Sequence, residues 1–221
     1  ARRLLPSMPT VNLRLAVPVC NGFLPGELKA TGPEPKHDEI LAYAEKAFDR
    51  AKIAGVEIIV FGSGGSRGYP AGFDPEKAKE QMIALCRRLA PAAQARGVTV
   101  AIETLNRKEC NFITRMAEAR AIAEAVDHPG LRLTADVYHM AQEGDGADEI
   151  TKTAKYIVHV HLAEKEKRTA PGVAGDDIKP YFRALKQAGY TGRVSMECRW
   201  GKFDVELPAA VKVVREQWSA A

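Results

Sequence analysis

Three times along this chain a helical pattern runs into a glycine, and an apolar, β-branched run follows within a few residues. The first instance goes from Asp38 through ILAYAEKAFDRAKIA to Gly55 and then VEIIVFG. The second opens on Asp74, Pro75 and Glu76, continues to Gly97 and leads into VTVAIE. The third starts at Asp176 or Asp177, carries Tyr181, Phe182 and Leu185 to Gly189, and leads into GRVSME. Each signal has a local cause. An aspartate side chain caps free helix N–H groups, proline suits the first helical turn, as Pro180 does in the third unit, and an early glutamate complements the positive helix end. Glycine just past a helix accepts the left-handed backbone that other residues resist. Strands joined by helices run parallel, and their continuous apolar character marks them as buried on both faces.

Completing the chain on the same criteria predicts six strands, at 11–19, 56–61, 98–103, 131–136, 156–161 and 193–197. Further helices are expected near 114–126, 147–155 and 208–218, with right-handed crossovers between strands. The stretch LPGELKATGPEPKHD at 24–38 is the one long Gly/Pro-rich loop, placed where a barrel would carry an active-site loop. With 221 residues, 46% of them hydrophobic, the chain can bury a sizeable core, and a single domain over 1–221 is expected.

The charge balance, 32 basic against 28 acidic residues, gives a net +4 without a basic stripe, and argues against nucleic acid as a partner. The densest basic run, EKEKR at 164–168, reads as a solvated loop at every position except Arg168. No stretch approaches a membrane span, and the opening ARRLLPSMPT is broken by Pro6 and Pro9 and is no signal sequence, so a soluble cytoplasmic protein without membrane contact is expected. Cys20, Cys86, Cys110 and Cys198 form no CxxC pair and read as reduced, unpaired thiols.

The chemistry concentrates at strand ends. Glu103 closes VTVAIE, Asp136 closes LRLTAD, His161 closes the core of IVHVHLAE and Glu197 closes GRVSME. In parallel α/β sheets ligands bind at the carboxyl ends of the strands, so four compatible donors at equivalent places form a constellation. Three carboxylates and one imidazole make a hard-cation site suited to Mn²⁺ or Mg²⁺, with Co²⁺ an alternative and zinc disfavoured by the lack of thiolates. His159 points to the same face as His161, either orienting a ligand or sitting as an interior histidine. His37 and His128 lie beside turn residues and read as exposed. FGSGGSRG at 61–68 fails the phosphate-loop patterns, because no GxxxxGK[ST] is present and Arg67 takes the place of the last glycine of GxGxxG. It reads as a flexible pocket loop with Arg67 available to a substrate oxygen. Tyr69 and Trp200 could wall the pocket, with core or rim packing the default reading for aromatics.

The runs AIETLNRKE, TADVYHM, HVHLAEKEKRTAPG and VSMEC together resemble the xylose isomerase-like TIM-barrel superfamily, in its sugar isomerase and epimerase branch with ketose 3-epimerases and hydroxypyruvate isomerases. The resemblance extends from about Val11 to about Trp200. It implies a (β/α)8 barrel and places the metal ligands on Glu103, Asp136, His161 and Glu197. It further implies that His139 and Glu109 contact substrate hydroxyls, and that Arg168 does so from the loop before Pro171 and Gly172, with Lys167 as the alternate because the spacing is one residue longer. The family's first ligand lies on the fifth strand, whereas Glu103 lies on the third visible one. The first two βα units are therefore unaccounted for. A six-stranded arc should leave two open edges and an exposed interior, which predicts an incomplete chain or a homo-oligomer that covers the gap.

A cation chelated by a substrate carbonyl and the neighbouring hydroxyl would acidify the adjacent C–H and give access to an enediolate. Glu103 and Glu197, on separated strands, would then serve as the acid/base pair, giving epimerisation if they work on opposite faces and aldose–ketose isomerisation if one shuttles a proton between carbons. The expected partner is a small sugar or keto-sugar. Inosose-type dehydration uses the same ligands, and a non-catalytic or incomplete barrel subunit is a further alternative. An apurinic endonuclease-like DNA repair enzyme is disfavoured: it needs more histidines, and an Asp-x-His where Asp176 and Asp177 are followed by Ile178 and Lys179.

Overall fold

A computed structural model of the chain describes residues 16–221. The part of the expected first strand at 11–15 lies outside the described residues, and only Val19–Cys20 (β1) is paired. The following elements are α1 His37–Ala54, β2 Ile58–Phe61, α2 Gly64–Arg67, α3 Pro75–Gln94, β3 Thr99–Glu103, α4 Met116–Val126 and β4 Leu131–Asp136. After them come α5 Val137–Glu143, α6 Asp148–Thr153, β5 Ile157–Leu162, α7 Lys179–Gln187, β6 Arg193–Met196 and α8 Phe203–Ser219. All six strands pair in parallel and in chain order, β1 to β6, the order of a barrel wall.

The predicted helix punctuation is present. Asp74 accepts the Glu76 N–H at 2.9 Å, and Gly55 and Gly97 both adopt φ 73°, the left-handed region that glycine enters without a Cβ penalty. Apolar side chains then meet the sheet at helical spacing. α1 buries Ile40, Ala44, Phe48 and Ala51, while α3 buries Met82, Leu85, Cys86 and Leu89 against the outer face of β2 and β3. Burial of a side chain the size of Phe48 contributes about 2 to 3 kcal/mol relative to exposure. This outer core holds the strands in register and leaves their inner faces to polar residues.

Several boundaries differ from expectation for local reasons. α5 follows β4 directly, because Asp136 accepts the His139 N–H at 3.0 Å and caps a helix where none was expected. α8 begins upstream of Pro208, since the Glu206 carboxylate accepts the N–H groups of Gly201 at 2.9 Å and Lys202 at 3.1 Å. FGSGGSRG contains the short helix α2 rather than a flexible loop.

The two open edges expected of a six-stranded arc are present, and the interior between them is partly covered. Among the described residues β1 and β6 are edges, yet the sheet curls until its ends approach one another. Asn21, just past β1, donates from Nδ2 to the Glu197 carboxylate beyond β6, and Arg193 on β6 meets Glu57 before β2 at 3.0 Å. His159, midway along β5, is fully buried.

Candidate active site

Side-chain alternation brings the strand-end residues to one place. Asp136 and His161 are directly paired in the β4–β5 register, Glu103 stands opposite Thr134 on β4, and Glu197 follows β6 with its N–H on the Leu162 carbonyl at 2.9 Å. Ligand atoms from Glu103, Asp136, His161 and Glu197 all lie within 4.8 Å of one another. Glu103, Asp136 and His161 are 5%, 1% and 2% exposed, while Glu197 is half-buried at the mouth.

Such a cluster of buried acceptors needs positive charge. His161 Nδ1 lies 2.6 Å from Glu103 Oε1, 3.4 Å from Glu197 Oε2 and 3.6 Å from Asp136 Oδ2. Burial alone would lower the His161 pKa, but the adjacent Asp136 and Glu103 carboxylates outweigh it and hold the imidazole well above its ordinary value. Burial pushes the Glu103 carboxyl up, the His161 hydrogen bond only partly opposing it. Asp136 goes the other way: burial works against its charge, but His161 and His139 together hold it low, at about 2. A divalent cation fits this donor set. Asp136 Oδ2 is buried with no hydrogen-bond partner, the donors are hard, and Gly62 passes so close to Glu103 Oε2 that a Cβ there would collide with it.

Around the four lies a second group. His139, fully buried on α5, accepts the Asn106 backbone N–H at 3.0 Å on Nδ1, with Asn106 Nδ2 also 2.9 Å away. An accepting Nδ1 leaves the proton on Nε2, which is buried, unpartnered and 3.9 Å from Asp136 Oδ2 and 4.0 Å from Glu109 Oε2. Arg168 donates from Nη2 to the Glu197 side chain and from Nε to the Glu197 carbonyl at 3.1 Å, and its Nη1 lies 3.5 Å from Glu109 Oε1. Its guanidinium also covers the Tyr138 ring, 4.9 Å from the centroid. Lys167, the alternate, turns outward to Glu166.

Residues 12–217 match the profile of the Xylose isomerase-like TIM barrel family. The chain belongs to that family. An L-ribulose 3-epimerase from Methylomonas sp. (strain DH-1) is 29% identical over 188 residues, 83% of this chain and 63% of the relative. A ketose 3-epimerase from Arthrobacter globiformis is 34% identical over 111 residues, 50% of this chain and 38% of the relative. The chain thus spans less than two thirds of the length of either. Among solved structures, D-psicose 3-epimerase with D-tagatose from Clostridium cellulolyticum H10 superposes with a TM-score of 0.81 at 24% identity, covering 90% of this chain and 77% of that one, a likeness of fold.

Family membership leaves this chain's remaining residues to be read from its own geometry. Asn106, Asn21, Tyr138 and Glu164 are additions that sequence reasoning missed. Asn21 obeys the strand-end rule that picked out the four ligand-type residues, and Asn106 stands close behind Glu103, whereas nothing in the sequence singles out Glu164. Arg67 is a correction: it is fully buried and donates from Nη1 to the Phe61 carbonyl at 3.1 Å, so it is not available to substrate. His37 and His128 are half-buried rather than exposed, one bonding the Ala30 carbonyl and the other accepting the Gly130 N–H. Trp200 packs on Phe203, and Tyr69 on Phe73 and Phe112. No described helix is long and apolar enough to cross a membrane.

Proposed function

We propose that this chain carries the site of a divalent-metal-dependent sugar isomerase or epimerase, working by proton transfer next to a carbonyl. The observation that carries the reading is the convergence of Glu103, Asp136, His161 and Glu197 to within 4.8 Å at adjacent strand ends. These four would hold the cation, Mn²⁺ by preference and Mg²⁺ or Co²⁺ as substitutes. When bound, the cation supplies Lewis acidity to a substrate carbonyl and its neighbouring hydroxyl. Glu103, whose proton affinity burial raises, suits proton abstraction from carbon near neutral pH. Glu197, fixed by Arg168 and Asn21, would return the proton from the opposite face. His139, with its proton held on Nε2, and Glu109 and Arg168 beside it would bind and orient substrate hydroxyls. The enclosed ligand cluster would keep water from the planar enediolate.

The names of the relatives support ketoses as the substrate class. The activity of the whole protein, and a homo-oligomeric state suggested by the two sheet edges, belong to this proposal. Solvent-deuterium exchange followed by NMR tests it, on a panel of small ketoses and hydroxypyruvate with Mn²⁺ and a chelator control. Label at carbon 3 with the 3-epimer as product establishes epimerisation, and label at carbon 1 with an aldose establishes isomerisation. Expulsion of a hydroxyl would place the chain among dehydratases, and the absence of exchange with cation bound would overturn the reading.

A further inference from the structure

Glu164 was expected to belong to a solvated charged loop, and it is 1% exposed. Its carboxylate accepts from five donors. Oε1 takes the N–H groups of Gly172 at 2.7 Å, Gly175 at 2.9 Å and Asp176 at 3.2 Å, and Oε2 takes the Thr169 hydroxyl at 2.9 Å and the Ala174 N–H. The backbone of 165–176 is thus wrapped around one side chain from the residue at its base. Although burial works against the charge, these donors hold the carboxyl below the usual glutamate range, so it remains a carboxylate around which the wrap can form.

The wrapped segment presents Arg168 to the site. Lys167 and Arg168 are consecutive non-glycine residues in the left-handed region, with φ 55° and 57°, a conformation that persists only where surrounding contacts over-determine it. Those contacts are visible. The Glu164 N–H donates to the Thr169 carbonyl at 2.9 Å, the Arg199 N–H donates to the Arg168 carbonyl at 2.7 Å, and Thr169 forms a parallel bridge with Arg199. With both ends of the turn pinned, the guanidinium reaches Glu197, Glu109 and Asp136.

We infer that Glu164 is a positioning residue, whose carboxylate organises the loop 165–176 and thereby fixes the Arg168 guanidinium against Glu197 and the substrate space. The consequence for substrate rests on the proposed isomerase or epimerase reading; the consequence for Arg168 does not. Glu164→Gln keeps the shape while removing the charge and one acceptor oxygen, and three readouts on the full chain with Mg²⁺ as the diamagnetic cation test it. Amide exchange by mass spectrometry at Gly172, Ala174, Gly175 and Asp176 is expected to accelerate at least about tenfold. The Arg168 Nε–H, assigned in ¹⁵N spectra by its loss in Arg168→Lys and protected by the Glu197 carbonyl, is expected to exchange with solvent faster by a similar factor. In ketose turnover KM should rise about tenfold with a smaller change in kcat, and Arg168→Ala should add little to a chain already carrying Glu164→Gln.

A loosened loop with the Arg168 Nε–H still protected and KM unchanged would overturn the inference, as would an undisturbed loop. A lowered melting temperature with all three readouts at wild-type values would also overturn it. Should Glu164→Gln not fold, Thr169→Val removes a single donor and must move the same readouts in the same direction by a smaller factor. If the wild type turns over no sugar, the isomerase reading fails while the two exchange readouts still decide the role of Glu164.

Discussion

His139 illustrates how one buried residue acquires a defined protonation pattern from its neighbours. Burial lowers its pKa, and the Asn106 N–H on Nδ1 settles which nitrogen carries the proton of the neutral ring. Asn106→Ala removes the Nδ2 contacts to His139 and Glu109 while retaining the backbone donor, so kcat/KM for a ketose is expected to fall about tenfold with Mn²⁺ affinity unchanged, as steady-state kinetics and a Mn²⁺ titration would show. The proposed ligand residues carry a second expectation. Glu103 and His161 both bind protons more tightly than usual, Glu103 through burial and His161 through its carboxylate partners. Both must lose protons to ligate, so protons compete with the cation and affinity increases as pH rises from about 6 to 8, by about tenfold per unit for each proton displaced. Calorimetric Mn²⁺ titrations in buffers of different ionisation enthalpy should register that proton release, and a pH-independent affinity would contradict it. At this scale the four ligand-type residues were legible because strand ends are legible. Asn106, Tyr138 and Glu164 were not, because their roles arise from neighbours far along the chain or from backbone curvature, as the contact of Asn106 with His139 shows.

Between elements, close backbone approaches decide what the loops can do. Gly130, before β4, faces the Ala90 carbonyl near the end of α3 so closely that an added Cβ would strike backbone rather than a yielding side chain. Gly130→Ala should therefore destabilise the chain by about 1 to 3 kcal/mol in denaturant unfolding, with its largest effect on protection of α3 and β4. Gly62→Ala is the functional counterpart. Its Cβ would meet Glu103 Oε2, the far end of a side chain, so the fold should survive while Mn²⁺ affinity falls. A titration giving wild-type affinity would show that Glu103 is not held by that approach. Helices α1 and α3 and strands β3 to β6 were legible because apolar periodicity and caps agree there. α2, a single turn, was hidden by its shortness, and α5 and the early start of α8 because each depends on one capping side chain, such as Glu206 reaching back to Gly201 and Lys202.

Across the whole molecule, the four ligand-type residues come from β3, β4, β5 and the end of β6, so one bound cation would tie adjacent strands from the middle of the sheet to its edge. Mn²⁺ at about a hundred times its Kd should add about 2.7 kcal/mol to stability and raise the melting temperature by about 5 to 10 °C. Asp136→Asn should lose that increment, because Asp136 is fully enclosed and water has little access to replace the missing charge. A melting temperature indifferent to Mn²⁺ would remove the cation from the account. What the sequence by itself determined was the parallel α/β layering, the family resemblance and the placement of Glu103, Asp136, His161 and Glu197 at strand ends, all of which follow from periodicity and local backbone preference. Only the tertiary structure decided that Glu197 meets Asn21 across the curled sheet, that Arg67 is walled in, and that Glu164 gathers the loop carrying Arg168. The first two depend on sheet curvature and on packing between segments remote in sequence, and the third on how residues 165–176 fold back onto the side chain at their base, none of which a local pattern encodes.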